Sequence, residues 1–133
     1  RNKYWGKIET IFSGDYVGKR MEIIPGVIGS MEYHLEKTEA YYLQSGRLAV
    51  VLRTGRAEEM PVIMNAGDSF VIPRGLMHRR VGLEDCVLFE VSTRDSDGDS
   101  HLVEDGQRYL DNNRCEGANY LEQIGLDKYF REQ

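Results

Sequence analysis

Two cysteines, Cys86 and Cys115, are all that 133 residues hold, and no CxxC spacing relates them. That is too little sulfur for a disulfide framework. Both are read as free thiols in a reducing compartment, so the expected location is cytoplasmic. Excess positive charge is also missing: the formal net charge is -5. Basic pairs such as Lys19-Arg20 and Arg79-Arg80 are too local to serve as a nucleic-acid footprint or to hold an anionic membrane. No apolar run approaches the roughly 20 residues of a membrane span. No segment combines a basic start, an apolar run and a small-residue cleavage site. The chain opens on Arg1 and not on Met, which leaves a longer precursor open. Internal repeats and low-complexity blocks are absent as well, which removes solenoids and disordered linkers from the choice of architectures.

What remains is one compact domain of ordinary composition, 41% hydrophobic and 29% charged. This length buries a core without staples. Turn signals punctuate the first two-thirds at Gly14-Asp15, Pro25-Gly26, Gly46, Gly55, Gly67-Asp68, Pro73-Arg74-Gly75 and Gly82. Strand-like segments lie between them. In residues 17–24, Val17, Met21 and Ile23 share one face. Residues 48–52 form an apolar run, and further strands lie at 62–64, 69–72 and 86–91. Short strands at this spacing predict an all-β sandwich or barrel. Beyond Ser92 the character changes. Residues 93–106 are rich in Asp, Gly and Ser and read as a loop or mobile tail. Residues 119–130 place Tyr120 and Ile124 near helical spacing and predict a short C-terminal helix.

Four side chains stand out as metal donors. Glu32 and His34 are two apart, so on a strand they point to one face. Glu39 comes after a short gap, and His78 belongs to a later strand. Two neutral imidazoles and two carboxylates suit one divalent ion of Mn, Fe, Ni, Co or Zn. In an octahedral ion, four protein donors leave positions for a substrate. A Glu-x-His pair is ordinarily a solvated strand face, and a lone histidine is ordinarily a hydrogen-bonded structural residue. The glycine and proline framework around both pairs is what lifts them above that reading.

The segment PGVIGSMEYHLEKTEAYYLQSG resembles the first motif of the cupin superfamily, with Gly26, Glu32, His34, Glu39 and Gly46 at the motif's places. GDSFVIPRGLMH resembles the second, through Gly67, Pro73, Gly75 and His78. The resemblance implies a double-stranded β-helix, or jelly-roll, barrel over residues 1–108. Residues 109–133 would then be a helical extension packed on the barrel or on a partner subunit. Glu32 stands where most cupins carry the first His, which makes the site harder and more anionic and favours Mn or Fe. Gly82 stands where the second motif usually ends in Asn.

Further segments are similar to type II phosphomannose isomerases and their small standalone relatives: KYWGKIE, YVGKRMEIIPG, SMEYH, TEAYYLQSG and LFEVSTRDSDGDSHLVEDGQR. This likeness implies a metal-dependent isomerase or epimerase of a sugar or sugar phosphate, working through an enediol. At the place of the family's Arg before the ED pair stands Leu102 or, with a one-residue slip, His101. The competing readings are another metal-dependent cupin enzyme (a small-acid lyase or an Fe dioxygenase) and a non-catalytic sugar-binding module. In each the partner is a small molecule, expected to be a carbohydrate.

Strand parity nominates further residues. Tyr41 and Leu43 share the inward face with Glu39, and Arg80 shares that of His78. Lys19 shares a face with Met21 and Ile23. Lys19 and Tyr41 are the expected catalytic groups, and Arg80, Lys19 and Arg94 the expected substrate contacts. Each also has a plainer role: interior tyrosines usually pack with a satisfied hydroxyl, and strand-end lysines usually reach to water. Glu90 is a strand carboxylate whose parity opposes Val87, Phe89 and Val91, and it has no assigned place. Tyr4 and Trp5 are expected to pack across the barrel or a subunit interface, and the methionines to fill the core or its edges. Exposed barrel edges predict a homodimer.

Overall fold

The computed structural model describes residues 1–55, 58–111 and 114–131, the side chains of residues 111–115 excepted. Cys115 therefore lies outside the described side chains. The elements run β1 (Asn2–Lys3), β2 (Gly6–Ser13), β3 (Tyr16–Ile23), β4 (Met31–Tyr33), β5 (Glu39–Ser45), β6 (Arg47–Thr54) and β7 (Glu58–Asn65). They continue with β8 (Ser69–Ile72), β9 (Met77–Gly82), β10 (Cys86–Thr93) and β11 (His101–Glu104). Helices α1 (Arg108–Asp111) and α2 (Arg114–Gln123) and a 3-10 turn at Asp127–Phe130 close the chain.

Two sheets face each other. One has six strands in the order β1-β2-β3-β10-β5-β8, the other five in the order β11-β4-β9-β6-β7. The named pairings are all antiparallel. This is the all-β jelly-roll barrel with a short helical C-terminus that the motifs imply. Its interior is filled by Met21 and Ile23 from β3, Tyr41 and Leu43 from β5, Leu48, Val50 and Leu52 from β6, and Cys86 and Leu88 from β10.

The apolar run of β6 has a second purpose. Its alternate residues Ala49 and Val51 face outward, and with Ile28, Val81 and Leu83 they pack under Tyr120 and Leu126 of the C-terminal segment. A strand buried on both faces needs continuous rather than alternating hydrophobicity. Burying each large side chain there contributes about 1.5–3 kcal/mol. The C-terminal helix begins earlier than its hydrophobic pattern suggests and stops earlier too: α2 ends at Gln123, and Gly125 has φ +77.

Residues 93–106 depart further from the sequence reading. They are no tail, because His101–Glu104 forms β11 and pairs with β4, Leu102 opposite Glu32. The polar composition that suggested a tail is used to hold the segment down. The Asp99 carboxylate accepts hydrogen bonds from the backbone N–H groups of Leu35, Glu36 and Lys37 at 2.8, 3.0 and 3.2 Å.

Two glycines are required by close approach. Gly46 has φ +84, and a Cβ there would lie 2.1 Å from the Asp85 carbonyl oxygen. Gly82 ends β9 rather than forming a turn. A Cβ there would lie 2.7 Å from the Ile24 carbonyl oxygen, which leaves no room for the Asn usual at this place.

Candidate metal centre

The strand pattern delivers each donor to the barrel interior. Glu32 on β4 sits directly opposite His78 on β9. His34 lies just past the end of β4, and Glu39 opens β5, whose buried positions are Glu39, Tyr41 and Leu43. Glu32, His34 and His78 each place a donor atom within 4.8 Å of the others. Glu39 meets both imidazoles: its Oε1 is 3.0 Å from His34 Nε2 and 3.4 Å from His78 Nε2. Glu32 Oε1 is 3.8 Å from His34 Nε2.

The far edges of the two rings settle which nitrogen points inward as a lone pair. His34 Nδ1 lies 3.2 Å from the Asp99 carbonyl oxygen, and His78 Nδ1 lies 2.9 Å from that of Leu76. A carbonyl only accepts, so in the neutral ring Nδ1 carries the proton and Nε2 offers the lone pair. Oriented imidazoles of this kind are what a metal site uses. Two buried atoms here, His78 Nε2 and Glu39 Oε1, have no hydrogen-bond partner. Buried polar atoms are ordinarily satisfied, and a divalent cation is the partner common to all four donors. The residues therefore fit a metal ion.

Electrostatics agree. Burial works against the Glu39 carboxylate, but the adjacent imidazoles of His34 and His78 outweigh it and hold Glu39 far below the usual carboxylate range. Burial also works against a charged His34, yet Glu39 outweighs it and raises the imidazole. Positive charge is wanted at this point, whether as a proton or as an ion that displaces it.

Around the donors the six-stranded sheet sets a row of polar side chains. Glu90 on β10 pairs with Lys19 on β3 and Tyr41 on β5. It is buried with Cys86 and Leu88, so its parity is that of the interior, and Val87, Phe89 and Val91 face the other way. Burial, followed by the neighbouring Glu39, pushes its carboxyl up to about 8. Lys37, buried in the β4–β5 connection, lies 2.7 Å from Asp95, 3.8 Å from Glu39 and 3.9 Å from Glu90. Lys19 lies 2.9 Å from Asp95 and 3.9 Å from Glu90. Arg80 donates to the Tyr41 hydroxyl at 2.9 Å, and burial sends Tyr41 well above its ordinary range.

Two polar cavities open here. One of about 490 Å³ is lined by Thr10, Ser13, Lys19, Lys37 and residues 95–100. The other, about 370 Å³, is lined among others by Tyr4, Trp5, Ser30, Glu32, Arg80 and Gln107. Trp5 and Tyr4 thus line the mouth beside the candidate metal donors. The Trp5 ring lies under the Arg80 guanidinium, 5.2 Å from ring centre to Cζ, and the Tyr4 hydroxyl donates to the Ile28 carbonyl at 3.0 Å.

Of the sequence-nominated residues, the structure brings together Glu32, His34, Glu39, His78, Lys19, Tyr41 and Arg80. It does not bring in Arg94, which pairs on the exterior with Asp15, the two side chains 65% and 89% exposed. Arg94 ends up there because it comes after the last residue of β10, where the chain leaves the barrel wall. The sequence reading missed Lys37, Asp95 and Asp99, which sit in connections without periodicity. Glu90 carried a legible signal in its even spacing from Cys86 and Leu88.

Residues 19–92 match the family model described as a cupin domain. No curated protein matches the chain. Among solved structures, KdgF from Halomonas sp. superposes with a TM-score of 0.62 at 22% identity, over 71% of this chain and 84% of that one. The capsular polysaccharide assembling protein CapF from Staphylococcus aureus gives 0.69 at 18% identity, over 78% of this chain and 31% of CapF. A formate complex of Lactobacillus farciminis oxalate decarboxylase gives 0.66 at 20% identity, over 90% of this chain and 38% of that one. The chain thus spans about a third of the two longer proteins, and at these identities the likeness is one of fold.

Proposed function

The chain belongs to the cupin domain family, and from that premise we propose that it is a metal-dependent isomerase or epimerase acting on a sugar-like substrate. Glu32, His34, Glu39 and His78 hold one divalent ion of Mn, Fe, Ni, Co or Zn. The observation that carries this reading is the pair of unpartnered buried atoms, His78 Nε2 and Glu39 Oε1, 3.4 Å apart in the barrel interior. The ion supplies Lewis acidity toward substrate oxygens when bound.

The chain's own residues supply position and protons. Ser30, Gln107 and the Tyr4 edge offer hydrogen bonds to hydroxyl groups in the smaller cavity, and the Trp5 ring offers an apolar wall. Tyr41 stays a neutral O–H because burial raises it, so it donates a proton or a hydrogen bond to a substrate oxygen and does not act as a base. Lys19, at the lip of the larger cavity, meets a substrate oxygen with its ammonium group. Taking a proton from one carbon and returning it to the adjacent carbon converts an aldose to a ketose, and returning it to the opposite face of the same carbon inverts that centre. Both need an oxygen held electrophilically, a base that takes the carbon-bound proton and a donor that returns one.

The test begins with elemental analysis of protein purified without added metal or chelator. About one Mn, Fe, Ni, Co or Zn per chain is expected, with loss of the ion in Glu32→Ala and His78→Ala. Metal-loaded protein is then incubated with aldoses and their phosphates, and product ketose or epimer is read by NMR. Absence of metal together with no uptake of any of the five ions would sink the proposal. A loaded protein that consumes oxygen, or that releases an unsaturated product, would replace isomerisation by dioxygenase or lyase chemistry.

A further inference from the structure

We propose that Arg80 is a carboxylate anchor, so that the ligand of the metal centre is a small monoanionic acid: a sugar acid, or a hydroxy or keto acid of similar size. This rests on the metal reading above and narrows its substrate class.

Arg80 lies two residues beyond His78 on β9, so both point inward, their Cα atoms about 7 Å apart along the strand. It lines the same cavity as Glu32. The guanidinium is held still. Its Nη1 donates to the Tyr41 hydroxyl at 2.9 Å, and its Cζ lies 5.2 Å from the Trp5 ring centre and 5.8 Å from that of Tyr41. That single hydrogen bond engages one nitrogen and leaves the rest of the planar fork for a ligand.

The neighbouring cations show what is unusual about it. Lys19 and Lys37 each reach Asp95 within 3 Å and Glu90 within 4 Å. Arg79, adjacent in sequence but facing outward, pairs with Glu104 at 2.8 Å. Arg80 pairs with no carboxylate within 4 Å among the described residues, although it stands inside the barrel. A guanidinium in such a place is costly unless an anion meets it. Packing alone would be served as well by Leu or Met.

The charges indicate which anion. A divalent ion offsets Glu32 and Glu39. Lys19 and Lys37 already have Asp95 and Glu90 as carboxylate neighbours within 4 Å. Arg80 is left over with one positive charge, which matches one carboxylate. A phosphate monoester carries roughly 1.5 to 2 negative charges at neutral pH, and Glu32 on the same cavity opposes the excess. The guanidinium fork takes a carboxylate in two parallel hydrogen bonds. Hydroxyl or keto oxygens on the same ligand then reach toward the metal donors one strand step away.

The experiment uses full-length protein loaded with Mn, its metal content measured on each sample. D-glucuronate, D-gluconate, D-glucose, D-mannose and D-mannose 6-phosphate are titrated by calorimetry. The carboxylates are expected to bind at least about ten-fold more tightly than the neutral sugars and the phosphate, as a charge-assisted pair implies. Arg80→Gln is expected to erase that preference without changing metal content, and Arg80→Lys to retain part of it. Equal binding of neutral sugars, tighter binding of the phosphate, or no carboxylate binding at millimolar concentration by the loaded wild type would each overturn the proposal, whether or not the variants fold. An Arg80→Gln protein that folds, holds metal and binds glucuronate unchanged would also overturn it. Failure of the metal reading looks different: the wild type would hold no ion, yet its glucuronate binding would still depend on Arg80.

Discussion

Asp99 illustrates how single residues position the centre without touching its interior. Its carboxylate caps three successive backbone N–H groups, and its own carbonyl receives the His34 Nδ1 proton. Asp99→Ala is therefore expected to weaken metal binding roughly ten- to a hundred-fold, the usual cost of losing an orienting partner. It should also lower stability by about 1–3 kcal/mol through the unsatisfied N–H groups. Metal titration and urea denaturation measure the two effects separately, and a variant with unchanged metal affinity would show that the loop does not orient His34. Gly46 is the backbone counterpart. With φ +84 and the Asp85 carbonyl in the place of a Cβ, Gly46→Ala is expected to cost more than about 2 kcal/mol, since strain and overlap add. The midpoint of urea unfolding reads this directly.

At this scale the sequence was partly legible. Glu32, His34, Glu39 and His78 are near neighbours or occupy spaced motifs, so local periodicity finds them. Lys37, Asp95 and Asp99 meet across more than 55 residues of chain, and no local pattern encodes such a meeting. Arg94 went the other way: its charge suggested the site, and its position beyond the barrel wall removed it.

Among the elements, β9 is divided between two tasks by alternation alone. His78 and Arg80 look inward. Arg79 and Val81 look outward to the C-terminal segment. Arg79 is fully buried there, its Cζ 5.0 Å from the Tyr120 ring centre and 5.7 Å from that of Tyr109. Glu104 of β11 accepts from Arg79 and from the Tyr109 hydroxyl, both at 2.8 Å, while Tyr120 donates to Glu59. This outer network ties α1 and α2 to the strands that carry Glu32 and His78. Glu104→Gln leaves a buried guanidinium without its nearest anion and is expected to cost about 3 kcal/mol, read as a lower thermal midpoint.

The same network sets a pH dependence. Burial works to raise Glu104, but hydrogen bonds from Arg79 and Tyr109 outweigh it and hold the carboxyl below its usual range. A carboxyl depressed in the folded state contributes stability that is fully present above its unfolded value of about 4.3 and is lost as pH falls through the folded value. Thermal midpoints between pH 3 and 7 should therefore drop below about pH 4 in the wild type. The drop should be shallower in Glu104→Gln. Equal slopes in the two proteins would remove Glu104 from the acid response.

For the molecule as a whole, the outer wall of the barrel is completed by the C-terminal segment. Ile28, Ala49, Val51, Val81 and Leu83 form an apolar surface on the outside of β6 and β9, and Tyr120 and Leu126 cover it. A chain truncated after Gln107 is expected to expose that surface, bind a hydrophobic dye and unfold at lower temperature than the full chain. An unchanged melting temperature would show that the barrel stands without its extension. Among the described residues no helix is long and apolar enough to cross a membrane.

The sequence by itself determined the barrel and the candidate metal donors, because both are written in short-range terms. Alternation assigns faces, glycine and proline mark turns, and two spaced motifs carry the four candidate donors. It also implied the inward turn of Lys19, Tyr41 and Arg80, which parity requires. Only the tertiary structure decided that, among the described residues, Lys19 and Lys37 meet carboxylates within 4 Å while Arg80 meets none. It also decided that residues 101–104 fold back as a strand instead of trailing away, and that Trp5 lies against Arg80. Each of those facts depends on segments far apart in the chain meeting in space. Charge pairing across such distances is set by the closed barrel, which no residue pattern spells out.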